Sequence, residues 1–346
     1  MSLLPRALWL PVLSLLLAGC AAQQPAPLAD TSTFHHDLDE GPFPWTGQTF
    51  DNGPEKFTFA LFSDLTGGER QGIYEVAVEQ LKLLRPELIL SVGDLIEGGT
   101  TDREQLGREW DSFDQRAGKA RAPIFYTGGN HDLTNPVMWD VYEERYGRHY
   151  YHFTYRNTLF LVLNTEDNST EQQWELHKIR DASLEAVKSD GWGVFKETDY
   201  GKSVERKYGR VGEKQAAYFR GVITANPDVL HTFVILHKPT WERADEKNFA
   251  SLELALSGRP YTVFYGHEHA YLHETRHGRD YIRLGTTGGV QNVKKDMAID
   301  HVSLVTVSKE GVDIANLRMS GIFGKDGKVP LNGEDLCFDA RECGEP

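Results

Sequence analysis

A chain of 346 residues is long enough for one large domain or two small ones and can bury a sizeable core. Its 37 Lys and Arg against 51 Asp and Glu leave a formal charge of −14, which argues against nucleic acid as a partner unless a local basic patch exists. The same acidity suits divalent cations, for which carboxylates are hard oxygen ligands.

Residues 1–20 read as an export signal: Arg6, an apolar run from Ala7 to Leu17 broken by Pro11 and Ser14, then Leu17-Ala18-Gly19-Cys20. The run is about half of the roughly 20 apolar residues a membrane span needs, so a cleaved signal fits better than a span. The tetrapeptide resembles a bacterial lipobox, in which cleavage leaves Cys20 first and its thiol carries diacylglycerol; ordinary cleavage near Ala21 or Ala22 is the alternative. Two or more acyl chains make a stable membrane anchor. With no Asp at Ala22, the resemblance favours the outer membrane, facing the periplasm. Residues 21–55, rich in Pro, Gly, Gln, Asp and Thr, read as a flexible tether in which His35 and His36 are solvated.

From there strand and helix alternate through a domain expected over residues 56–320. Phe57 to Phe62 is a strand; Ile73, Val76, Ala77, Leu81 and Leu84 repeat at helical spacing until Pro86; Leu88 to Val92 is a buried strand. A polar helix over Thr101 to Ala117 precedes a third strand, Ile124 to Tyr126, and Tyr150 to Asn164 reads as a hairpin turning at Arg156-Asn157. A charged insertion, residues 166–212, carries a helix from Glu171 to Lys188 and, with Lys214 just beyond its end, a local basic excess of Lys202, Arg206, Lys207 and Arg210 among Tyr200 and Tyr208. It reads as an excursion over one face, and a phosphate clamp is the alternative. A helix over Glu213 to Ala225, strands Thr232 to Leu236 and Tyr261 to Tyr265 around a helix near Phe249 to Leu256, and closing β-structure at Gly285 to Val290, His301 to Val307 and Val312 to Leu317 complete the domain. In the tail, 321–346, Cys337 and Cys343 are spaced to close a small disulfide loop in an exported protein.

Five polar clusters follow apolar runs: Ser63-Asp64-Leu65-Thr66-Gly67-Gly68, Gly93-Asp94-Leu95-Ile96-Glu97, Gly129-Asn130-His131-Asp132, His237-Lys238-Pro239 and Gly266-His267-Glu268-His269. Each offers oxygen or imidazole donors where strand ends would converge them, and the adjacent glycines let the backbone turn sharply. In this order they resemble the calcineurin-like metallophosphoesterase superfamily. The resemblance implies an α/β (α+β) four-layer fold, two mixed β-sheets sandwiched and flanked by helices. It also implies two divalent or mixed-valence metal ions, Mn, Zn or Fe. Asp94 would bridge them, with Asp64 and His269 on the first and Asn130, His237 and His267 on the second. A metal-activated hydroxide would then attack phosphorus, with His131 as general acid to the leaving oxygen.

The first motif departs from the family's Asp-x-His, placing Thr66 where a histidine would stand. Glu97 offers two repairs. Purple acid phosphatases carry a metal-ligating Tyr at its position, which would make Glu97 a ligand; protein Ser/Thr phosphatases carry an Asp there that orients the general acid, which would make Glu97 the holder of His131. The expected activity is hydrolysis of a phosphate ester outside the cytoplasm, with a membrane contact through the lipid anchor. The alternative is a degenerate, noncatalytic metal- or phosphate-binding lipoprotein, motivated by Thr66.

Overall fold

The computed structural model of the protein describes residues 53–344 and, before them, Thr46; Cys20, the signal, nearly all of the tether and the His35-His36 pair lie outside the described residues. In chain order the elements are β1 (Phe57–Phe62), α1 (Ile73–Leu84), β2 (Leu88–Ser91), α2 (Arg103–Ala117), β3 (Ile124–Phe125), α3 (Pro136–Tyr146), β4 (Tyr151–Tyr155), β5 (Thr158–Val162), α4 (Thr170–Asp190), α5 (Asp199–Lys202), α6 (Glu213–Ala225), β6 (His231–Ile235), α7 (Asn248–Ala255), β7 (Tyr261–Tyr265), β8 (Leu272–Arg276), β9 (Arg279–Arg283), β10 (His301–Ser308), β11 (Gly311–Arg318) and α8 (Ala340–Cys343).

They form two mixed sheets, ordered β11-β10-β1-β2-β3 and β4-β5-β6-β7-β9-β8. In the first, β1, β2 and β3 run parallel while β10 and β11 pair antiparallel; in the second, β5, β6, β7 and β9 run parallel between antiparallel edges. Strand side chains alternate faces. In β1, Phe57, Phe59 and Leu61 enter the core between the sheets while Ala60 and Phe62 pack under helices. On the other sheet Phe160, Phe233 and Ile235 face inward, whereas Leu159, Leu161 and Val234 meet the layer that contains Phe219 and Phe249. Because both faces are covered, the central strands are continuous apolar runs rather than alternating ones. Burying each of these large side chains stabilises the fold by ~1.5–3 kcal/mol.

The helix boundaries follow from their caps. The Asp102 side chain accepts from the Glu104 and Gln105 backbone N–H groups to open α2, and Ser169 and Gln172 close a reciprocal capping box at α4. α1 stops at Arg85, left-handed at φ 54°, just before Pro86.

Three departures from the sequence expectation have physical reasons. The sequence pattern gives no sign of α3, because Val137, Met138, Trp139, Val141 and Tyr142 crowd neighbouring positions and no single apolar stripe stands out. The β8–β9 hairpin is hidden by polar strands, and turns on His277 and Gly278 at positive φ. Residues 285–290 do not form the expected strand: they make a loop joined to Asp300 through one isolated bridge at Thr286. The C-terminal segment belongs to the domain, since Phe338 is buried in the core beside the first sheet and Leu336 packs against it. Cys337 and Cys343 are disulfide-bonded, with Cα atoms 6.0 Å apart. Among the described residues no helix is long and apolar enough to cross a membrane.

Candidate metal centre

The polar clusters lie just beyond the carboxyl ends of β1, β2, β3, β6 and β7, the edge where parallel sheets gather ligands. Their backbone is strained where it carries donors. Asp64, Asp94, His267 and His269 all adopt left-handed conformations, at φ 46°, 57°, 75° and 51°. Non-glycine residues enter that region at a cost of about 1–3 kcal/mol each, and such strain concentrates at functional sites. Glycine is required where loops touch: a Cβ on Gly129 would lie 2.3 Å from Asp94 Oδ1, and one on Gly266 would lie 2.4 Å from Asp64 Oδ2.

Two donor groups result, each with its atoms within 4.8 Å of one another: Asp94, His237 and His267, and Asp64, Asp94 and His269. Asp94 is common to both. Asn130 joins the first group, its Oδ1 3.2 Å from His237 Nε2.

The outer nitrogen of each imidazole is committed to a main-chain carbonyl. His237 Nδ1–H donates to Val92 O at 2.9 Å, His267 Nε2–H to Arg206 O at 2.7 Å, and His269 Nδ1–H to Val290 O. This pattern fixes the tautomers and turns the remaining lone pairs inward. His237 Nε2 then faces Asp94 Oδ2 at 3.1 Å as well as Asn130 Oδ1, and His269 Nε2 faces Asp64 Oδ1 at 3.3 Å. Acceptors converging in this way need a positive charge between them, supplied by an ion or by a proton on the imidazole. The mixed oxygen and imidazole donors fit a divalent cation in each group.

Without an ion, a proton on His237 supplies that charge. Burial disfavours charge on Asp94, but the His237 and His131 side chains outweigh it and hold the carboxyl well below the usual carboxylate range. Burial also opposes charge on His237, yet the Asp94 carboxylate pushes it up to about 9. His267 is held well below its ordinary value by burial, Lys238 and His237, and so presents a neutral imidazole.

Asp132, the last residue of Gly-Asn-His-Asp, is completely buried and accepts from the N–H groups of Asp94, Leu95, Ile96 and Gly129 at 2.8–3.2 Å. It locks the second and third motif loops together. The motif contains Asp132 but does not reveal this role, because the N–H groups it holds come from two loops.

Thr66 is turned away from both donor groups: its hydroxyl donates to Asp94 O at 3.2 Å and Ile96 O at 2.8 Å. The Glu97 carboxylate accepts from the N–H groups of Gly67, Gly68 and Glu69 at 2.8–3.3 Å and so braces the turn after the first motif. It belongs to neither donor group. His131 is oriented by the main chain of Glu97, its Nδ1–H donating to the carbonyl at 2.8 Å with the carboxylate at 3.8 Å. The residue expected to hold His131 does touch it, through a different atom.

The insertion reaches the centre. Lys238, completely buried beside His237, pairs with Glu166 at 2.9 Å and donates to Glu205 O at 2.8 Å, while Arg243 pairs with the Glu205 carboxylate at 2.9 Å. These contacts fix the stretch whose Arg206 carbonyl orients His267. Of the insertion's basic residues Arg206 and, from α4, Arg180 line the cleft over the donor groups, whereas Lys202 pairs with Glu197 and Arg210 with Asp245. The loop expected as a strand frames the opposite side: Thr287 Oγ1 accepts from Ser63 N, Gly289 N donates to Asp64 O, and Val290 supplies the carbonyl for His269. Main-chain carbonyls leave no mark in a sequence, which is why these partners could not be read there. The cleft itself has a volume of ≈ 920 Å³ and is floored by Asp94, Asn130, His131, His267 and His269.

No curated protein matches the sequence significantly. Among solved structures the chain is similar to a dimetal phosphatase from Danio rerio (15% identity, 76% of this chain and 98% of that one, TM-score 0.47). It is also similar to a protein described as the anchor in the inner membrane complex of Plasmodium (14% identity, 80% and 87%, TM-score 0.47) and to a purple acid phosphatase from yellow lupin seeds (11% identity, 78% and 52%, TM-score 0.51). At these identities the likeness concerns fold. The family model for calcineurin-like phosphoesterases matches residues 57–271, which contain every donor of both groups. The chain belongs to the calcineurin-like phosphoesterase family, whose members carry a dinuclear metal site, and it is a metallophosphoesterase.

Proposed function

We propose that the protein hydrolyses a phosphate ester outside the cytoplasm, with Asp94 shared by two metal ions, Asp64 and His269 completing one ligand set, and Asn130, His237 and His267 the other. The observation that carries this reading is the pair of carboxylate and imidazole donor groups meeting at Asp94. When bound, the ions supply an acidified water and offset the charge on the phosphoryl oxygens. The chain's own part follows from its hydrogen bonds. The Val92, Arg206 and Val290 carbonyls hold three imidazoles in ligand tautomers. The Glu97 carbonyl fixes His131 so that its Nε2 edge faces the cleft, where it protonates the leaving oxygen. Mn, Zn and Fe all suit such mixed nitrogen and oxygen donors.

Protein reconstituted with Mn²⁺, Zn²⁺ or iron should turn over simple phosphate monoesters or diesters, and His131→Ala should lower kcat ~10²–10⁴-fold while both metals still bind. Absence of metal-dependent turnover that responds to this substitution would sink the catalytic reading and leave metal binding alone. Export and anchoring at Cys20 rest on the signal and lipobox, with support from the Cys337–Cys343 disulfide, which suits an oxidising compartment. Cys20→Ser should move the protein from the membrane to the soluble fraction; unchanged fractionation contradicts the anchor.

A further inference from the structure

The outer wall of the cleft is built differently from its floor. The end of α4, the 3-10 segment Trp192–Glu197 and α5 place Trp192, Phe195 and Tyr200 above the donor groups. The rings meet edge to face, Trp192 to Phe195 at 5.6 Å and Phe195 to Tyr200 at 6.3 Å between centroids. Trp192 is 70% exposed, so this side chain contributes little to the folding core. Large aromatic side chains held open to solvent in a cleft serve a ligand better than they serve stability.

The same wall is cationic in an acidic protein. The Arg206 guanidinium lies 5.8 Å from the Phe195 centroid and gives only its Nε–H to the Gly201 carbonyl. Arg180 has one backbone contact, to Gly99 O at 3.4 Å, and its nearest carboxylate, Asp181, is 3.9 Å away. Among the described residues neither Arg206 nor Lys294 has a carboxylate within ion-pairing distance, whereas the nearby acids are occupied: Glu97 by three N–H groups and Glu268 by Lys295. Positive charge is left over where a second anion could sit.

Building on the phosphoesterase reading, we propose that this wall is a leaving-group subsite for esters that carry a flat unsaturated ring and a further anionic charge, the chemistry of a nucleotide. The ring stacks on Trp192, and the extra anion meets Arg206 and Arg180. An acyl chain fits less well, because packing it here would strip water from guanidinium groups without replacing their partners.

The metal-loaded protein should be assayed on ADP and AMP against glycerol 2-phosphate and ribose 5-phosphate, with a short-chain phosphatidic acid as the apolar arm. Stacking on one aromatic face is worth about tenfold to a hundredfold. The ratio of kcat/KM for AMP over ribose 5-phosphate should therefore be at least about tenfold and should collapse through KM in Trp192→Ala, while Arg206→Gln should weaken ADP more than AMP. An ADP-induced quench of tryptophan fluorescence, lost in Trp192→Ala, reads the subsite even without turnover. A ratio near one, a ratio unmoved by both substitutions, or a preference for the phosphatidic acid overturns the subsite while leaving phosphoesterase activity standing. Turnover of no ester, with the ADP quench intact, strikes the phosphoesterase reading instead.

Discussion

The two halves of the metal centre share Asp94 and differ in almost everything else. The half built on His237 and His267 has four donor residues. It is wrapped by the insertion through Lys238, Glu166 and the Arg206 carbonyl, and its central imidazole is completely buried. The half built on Asp64 and His269 has three donors, no histidine at Thr66, and a His269 side chain 13% exposed. Its walls are glycine and loop: a Cβ on Gly67 would come within 3.0 Å of His269 Cε1, and the carbonyl on His269 belongs to Val290. A shared carboxylate therefore does not make two equal sites, and one ion should bind tightly and the other weakly.

The largest effect should follow from removing what the halves share. Asp94→Asn should abolish binding of both ions, with a loss of turnover beyond the ~10–100-fold that a change in the outer coordination sphere costs. Retention of one tight ion in this variant would break the claim that Asp94 serves both halves. Next comes Lys238→Met, which sharpens the comparison by loosening only the wrapped half. It should weaken the tight ion ~10–100-fold and open the insertion to limited proteolysis, while the weak ion keeps its affinity. Because Glu166 would lose its buried partner, the paired variant Lys238→Met with Glu166→Leu separates the two effects: it should restore stability but not the tight affinity.

The smallest effect concerns the floor beneath the looser half. His301 Nε2 accepts from Gly285 N at 2.8 Å under the loop that carries Thr287 and Val290, and burial holds this imidazole down at about 4 against its ordinary 6.5. The unfolded chain binds the proton first. Its contribution to stability is thus full above about pH 6.5 and is lost as the pH falls toward 4, up to ~3 kcal/mol. Urea melts at pH 7 and pH 5 should show this decline, and His301→Gln should flatten it; an equal slope in the variant would mean that His301 does not carry the decline.

What could be read from sequence divides along the same line as the centre itself. Central strands such as β1 and β7 announce themselves because burial on both faces leaves unbroken apolar runs, and the donors directly after them follow in order. The braces are another matter. Arg206, Val290 and Glu97 act through carbonyls that any residue would supply, and the loop at 285–290 resembles a strand because its small residues thread between Asp64 and His301. Asp132 was visible in its motif, but its four N–H partners belong to two separate loops that only folding brings together. Thr66 marked the unequal halves at once, while the direction of its hydroxyl, toward Asp94 O and Ile96 O, required coordinates.

The most direct test is calorimetric titration of the metal-free protein with Mn²⁺ or Zn²⁺, alongside His269→Ala and His237→Ala. Two ions should bind in separate steps, His269→Ala should erase only the weaker step, and His237→Ala should erase the tighter one. Two equal steps, a single ion per chain, or loss of the tight step in His269→Ala would contradict the unequal dinuclear centre.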